Sequence, residues 1–214
     1  MITSTRKDEH KGRVLRYHPL EIVTYILLGG ISVVFFTLSL SYFMTAWNSG
    51  ITILNLPLLF HANTVIILVS SYCMHQTKLA NERNDHKAFS NGLIVTASLG
   101  IAFAFFQVLA WQELVNSGIR LTNNVAGAYL YVISGLHLAH LLVGIVLMGI
   151  FWLKAKEVEH NPVAELLFET DPMSKIKINL LSLYWHFVDG LWVYLYLFFV
   201  TCQHLAKNFI MATA

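Results

Sequence analysis

The sequence predicts an all-α fold, an integral membrane bundle of five transmembrane helices, and three observations carry that expectation. Of 214 residues, 56% are hydrophobic and only 12% charged, and a mean hydropathy of +0.60 exceeds that of ordinary soluble domains. The apolar residues gather into five runs, about 20–47, 58–77, 89–111, 125–153 and 179–204. Each reaches the roughly 20 residues that a helix needs to cross about 30 Å of hydrocarbon. None shows the polar/apolar alternation of a membrane barrel strand, and each is about twice as long as one. Third, twelve of the 14 Lys and Arg residues fall on one side of these runs.

That asymmetry sets the orientation. Arg6, Lys7, Lys11, Arg13 and Arg16 precede the first run, Lys78, Arg83 and Lys87 lie in the second loop, and Lys154, Lys156, Lys175 and Lys177 lie in the fourth. Arg120 and Lys207 alone fall on the other side. Basic residues stay in the cytoplasm, so the N-terminus is expected there and the C-terminus outside. The chain divides into a cytoplasmic N-terminal segment (1–19), one transmembrane domain (20–204) and a short outer tail (205–214). The net charge of +2 is a topology signal, and the basic segment suits anionic lipid headgroups; no nucleic-acid reading is justified.

The first run is not a cleaved signal peptide, because 19 mostly polar residues precede it and its apolar length exceeds an h-region. Its Gly29 and Gly30 are helix-packing residues, as are Asn63, Ser70 and Ser71 in the second run. The third run ends on Trp111, flanked by Gln107 and Glu113, where a carboxylate at the outer interface reaches water. Trp47, Trp111 and Trp152 sit at run ends, as an interfacial aromatic belt requires. The fourth loop, Lys154 to about Ile178, is the longest connection and is interrupted by Pro162 and Pro172; between them Val163 to Phe168 reads as a short helix on the membrane surface. Cys73 and Cys202 fall at opposite membrane faces, too far apart for a disulfide.

The chemistry-bearing residues lie in the last two runs. In the fourth, His137 and His140 are three apart, about 60° apart around the helix, with Gly144 a turn further on. In the fifth, His186 and Asp189 repeat the spacing, and Trp185, Asp189, Trp192 and Tyr196 form one stripe. Ionisable groups at this depth face the bundle interior. The plainest reading is a hydrogen bond between Asp189 and an imidazole, His140 being nearest in depth, across two antiparallel helices. Three sharper readings stand beside it: a zinc, iron or copper site on the imidazoles and Asp189, a b-type haem held by one His from each helix, and a proton relay through His137, His140, His186 and Asp189.

The run SGLHLAH (Ser134 to His140), followed some forty residues later by YWHFVDGLW (Tyr184 to Trp192), resembles the signature of subunit III of the haem–copper oxidases, the cytochrome c and quinol oxidase group. QVLAWQE (Gln107 to Glu113) and NTVIILVSS (Asn63 to Ser71) are similar to further family segments. The resemblance implies an accessory subunit of a proton-pumping terminal oxidase in aerobic respiration, with no catalytic, cofactor or metal residue of its own. It implies direct packing on subunit I, which holds haem and copper, association with other oxidase subunits, of which subunit II is a second candidate to hold copper, and bound phospholipid. In that family subunit III supports proton uptake and protects the complex during turnover. His137, His140, Trp185, His186, Asp189 and Trp192 are then signature residues of the helix interface, with Gln107 and Glu113 secondary, and the location is a bacterial plasma membrane. The chain departs from many relatives in having five spans where they have seven, LLGGIS (Leu27 to Ser32) where they carry an intramembrane carboxylate, and a longer fourth loop. Two alternatives remain: a subunit III-like accessory protein of nitric oxide reductase, and a freestanding membrane haem or metal protein.

Overall fold

Proline and turn chemistry set the helix boundaries. A computed structural model describes residues 18–48, 57–119 and 125–213; the basic residues at positions 6–16, the first loop and Arg120 lie outside them. The described residues form α1 (Pro19–Asn48), α2 (Leu58–Glu82), α3 (His86–Asn116), α4 (Val125–His160), α5 (Pro162–Thr170) and α6 (Pro172–Thr213), with no strand among them. Pro19, Pro162 and Pro172 each open a helix, where a missing N–H costs nothing and the fixed φ is already helical. Asp85 caps α3 by accepting from the Ala88 amide at 2.9 Å, and Asn84 takes φ 56° to turn the chain tightly out of α2. Gly118, at φ 83°, closes α3 in the left-handed conformation that glycine adopts without strain.

All helices except α5 are long and apolar enough to cross a membrane, so the five expected spans are present. The short helix expected at Val163 to Phe168 is α5, opened by Pro162. The rest of the stretch read as the fourth loop is also nearly all helical, because the good helix formers after Lys154 carry α4 to His160 and Pro172 starts α6. Lys156 and Glu159 bond at 2.7 Å along that extension. The expected outer tail is likewise a continuation of α6 as far as Thr213.

Four helices close a ring: α3 packs on α2 and α4, and α6 packs on the same two. α1 lies outside this ring across α4 and α6, and α5 rests against the same pair. Phe60, Ile67 and Met74 of α2, Phe89, Leu93 and Phe103 of α3, Leu130, Ile133 and Leu141 of α4, and Trp185, Val188 and Trp192 of α6 are buried in the core. The outward surfaces are also apolar, with Phe36, Phe105 and Val146 each 62% exposed, as helices surrounded by acyl chains require. Cys73 and Cys202 are both free thiols.

Candidate functional site

A layer of buried polar and aromatic side chains fills the centre of the ring, and α6 supplies most of it. The stripe Trp185, Asp189, Trp192 and Tyr196 follows the helical period, so one face of α6 presents all four inward or toward α2. The Trp185 indole donates to the Ser70 hydroxyl at 3.0 Å, and the Trp192 indole donates to the Thr64 hydroxyl at 3.2 Å. Ser71 and His186 Nδ1 are 2.7 Å apart, and the His61 ring meets Tyr196 edge-on at 5.5 Å. Three polar side-chain contacts and the His61–Tyr196 ring contact thus join α2 to α6, and each of the three satisfies a group that hydrocarbon would leave bare.

Trp185 occupies a slot made by glycines from two other helices. A Cβ on Gly100 of α3 would lie 2.9 Å from Trp185 Cη2, and one on Gly144 of α4 would lie 2.8 Å from Cζ3. The indole is completely buried. Gly144 is therefore not part of an open groove beside the imidazoles, because Trp185 fills the space its missing side chain leaves. Trp192, also fully buried, stacks on Phe60 at 5.6 Å, meets Phe103 edge-on at 4.8 Å and leans on His137 at 5.1 Å.

His137 and His140 do not act together. His137 points into the ring between Phe103 and Trp192, with neither ring nitrogen hydrogen-bonded among the described residues. His140 turns to the other side: its Nδ1 meets the Leu136 carbonyl at 2.7 Å, and its ring packs on Phe35 of α1 at 5.8 Å. The expected bond between His140 and Asp189 is not formed. Three residues rotate the second imidazole about 60° around α4, enough to carry it past the edge of the ring. What α4 offers α6 there is a backbone carbonyl, the oxygen of His140, which accepts from Tyr184 Oη at 2.8 Å. Asp189 is 3% exposed, and neither carboxyl oxygen has a hydrogen-bond partner among the described residues. Ser71 lies close to it but is engaged with His186.

Gln107 is fully buried, and its Oε1 accepts from Asn63 Nδ2 at 3.0 Å, tying α3 to α2. Glu113 is exposed. Trp111 is half-buried, and its indole donates to Ser134 of α4 at 3.0 Å. Sequence reasoning named Ser70 for helix packing without its indole partner, and missed Gly100 and Thr64; Gly100 was readable from its place on the face that carries Phe103 and Gln107, at spacings of three and seven.

Among the described residues no three His, Cys, Asp or Glu side chains converge as a metal-ligand set. Trp185 and Trp192 fill the level between α4 and α6 at which a haem held by one His from each helix would lie. The layer's chemistry is hydrogen bonding and ring packing across four helices. A separate groove of about 720 Å³ runs between α1, α4 and α6. Its walls are apolar, among them Leu27, Ile31 and Leu147, with His140 and Tyr184 deep along it and Lys154 and Lys177 at one end.

The family model described as cytochrome c oxidase subunit III matches residues 22–203. The chain is 28% identical over 135 residues to cytochrome c oxidase subunit 3 of Thermostichus vulcanus, covering 63% of this chain and 61% of that protein. It is 28% identical over 136 residues to the Synechocystis subunit 3, covering 63% and 53%, and 26% identical over 152 residues to the Corynebacterium diphtheriae subunit 3, covering 71% and 69%. The chain thus spans between half and two thirds of the length of the first two relatives.

Proposed function

Because the chain belongs to the cytochrome c oxidase subunit III family, a family of multi-pass membrane proteins, we propose that it is the accessory subunit III of a proton-pumping haem–copper terminal oxidase. It packs directly on subunit I, contributes no redox centre, and steadies the catalytic subunit and its proton-uptake surroundings during turnover. The observation that carries this reading is the use made of the signature residues: Trp185, His186 and Trp192 are engaged with Ser70, Ser71 and Thr64, and His137 is wedged between Phe103 and Trp192. Residues committed to joining helices suit a support subunit better than a reaction centre. The end carrying Lys78, Lys154 and Lys177 faces the cytoplasm of a bacterial plasma membrane.

Bound phospholipid follows from the same reading. The groove between α1, α4 and α6 runs from Lys154 down to His140, about 21 Å at a helical rise of ~1.5 Å per residue, which matches the length of an acyl chain. The two lysines at its end suit a lipid phosphate.

Affinity purification through a tag on this chain tests the proposal. A haem-bearing partner should co-purify, and its reduced-minus-oxidised spectrum should show a-type or o-type haem, while the chain separated from it is colourless. Recovery of this chain alone, or with b- and c-type haems of a nitric oxide reductase, would refute it.

A further inference from the structure

The outer faces of the spanning helices are not alike. Along the middle of α1, α3 and α4 the exposed side chains are apolar or small, including Val33, Phe36, Ile101, Phe105, Val143 and Val146. The hydroxyls there, such as Thr37 and Ser98, are turned onto carbonyls of their own helix. Such surfaces lose nothing against lipid.

The seam between α2 and α6 is different. His61 and His75 are exposed, Lys78 is 35% exposed at the side chain, and Ser71 and His186 are half-buried. His61, Ser71, His75 and Lys78 share one stripe of α2, at steps of three, four and seven residues or their sums, so they line the seam for most of the helix. Ser71 stands midway along α2 and holds His186 at 2.7 Å, which places an imidazole with part of its surface outward at the middle of the span. His75 and Lys78 lie within electrostatic reach of that ring. One turn beyond His186, Gly190 is exposed with nothing within 4 Å of where its Cβ would stand, so a second helix backbone can approach closely there.

Ionisable side chains in a span face protein or a polar cavity, because acyl chains offer them no hydrogen-bond partner. We infer that the α2–α6 seam, and not the α1 or α3–α4 faces, is the surface covered by the haem-bearing catalytic subunit; the inference rests on the function proposed above. Charge chemistry states what that subunit presents. The titratable groups reaching the seam are the imidazoles, the phenols of Tyr72 and Tyr196 and, toward the helix end, Lys78, whereas Asp189 is buried beneath them and Glu82 pairs with Lys78 only at the helix end, at 3.9 Å. The complementary face therefore carries acceptors: carboxylate, carbonyl or hydroxyl oxygens on a transmembrane helix.

Site-specific photo-cross-linking in the intact complex tests this. A benzophenone amino acid replaces Leu68 or Leu197, which are 55% and 56% exposed on the seam stripes of α2 and α6, or Ile101 or Val146 on the other faces. After irradiation in native membranes, the adduct with the haem-bearing chain should be several-fold more abundant from Leu68 and Leu197 than from Ile101 and Val146. Adducts arising mainly from Ile101 or Val146, or seam adducts only to lipid or to a second copy of this chain, would overturn the assignment. Failure to recover any haem-bearing chain with the tagged protein, seen before irradiation, removes the functional reading and the assignment with it.

Discussion

Replacing Gly144 with alanine adds one methyl group where the ring has no room for it. The new Cβ would stand 2.8 and 2.9 Å from Trp185 Cζ3 and Cε3, and 3.2 Å from Tyr184 Cε1, whereas carbon atoms rest at about 3.5–4.0 Å. Relief requires the indole to move by most of an ångström. It cannot slide away freely, because Gly100 bounds the slot from α3 with a would-be Cβ at 2.9 Å, and the Nε1–Ser70 bond pins it to α2. Overpacking of this kind costs about 1–3 kcal/mol, against a gain of about 1 kcal/mol for alanine over glycine inside a helix. Gly144→Ala should therefore be destabilising by up to about 2 kcal/mol, and about 1–3 kcal/mol less stable than an alanine that meets no such clash. Gly149→Ala on the same helix meets nothing within 4 Å and should be neutral or slightly stabilising. Thermal unfolding in detergent, followed by tryptophan fluorescence, compares the pair. A Gly144→Ala protein as stable as Gly149→Ala would refute the indole slot.

Other variants probe the rest of the layer. Ser70→Ala leaves a fully buried indole N–H without its acceptor and should cost about 1–3 kcal/mol in the same unfolding assay. His137→Ala opens space beside Phe103 and Trp192 and should cost about 2–5 kcal/mol, by analogy with other large-to-small core changes, whereas His140→Phe, which loses only a bond within its own helix, should cost less than half as much; equal costs would contradict their separate environments. Outside the spans, Asp171 caps α6 by accepting from the Met173 amide at 2.9 Å and from the Ser174 amide and hydroxyl. These bonds, the Met173 amide foremost, hold its carboxyl below the ordinary value of 3.8. The cap is thus fully present above that value and is lost as pH falls through the lowered one. Hydrogen exchange at Met173 and Ser174, corrected for intrinsic rates, should remain protected at neutral pH, lose protection in acid, and be unprotected at all pH values in Asp171→Ala.

Five spans were legible because length and apolar content alone dictate what can cross hydrocarbon, and His137, Trp185, Asp189 and Trp192 were legible as inward-facing for the same reason. Their partners were harder to read. Spacing along α4 placed His137 and His140 on neighbouring faces but could not say that the edge of the ring falls between them, since that depends on how α1 and α6 seat against α4. Ser70 read as an ordinary packing residue and Thr64 was not singled out; only the approach of α6 to α2 makes them acceptors for two indoles. The short helix after Pro162 was legible, but Pro172 read as an interruption of a loop and instead begins α6, because proline disfavours a helix interior without disfavouring its first turn.

On the proposed function, this chain steadies an oxidase without taking part in its electron transfer. Oxygen consumption followed through many turnovers, by the complete complex and by the complex stripped of this chain, tests that most directly. The stripped complex should begin at a comparable rate and with its haem spectrum intact, then inactivate sooner. Immediate loss of activity with a changed spectrum, or an unaltered lifetime, would contradict it.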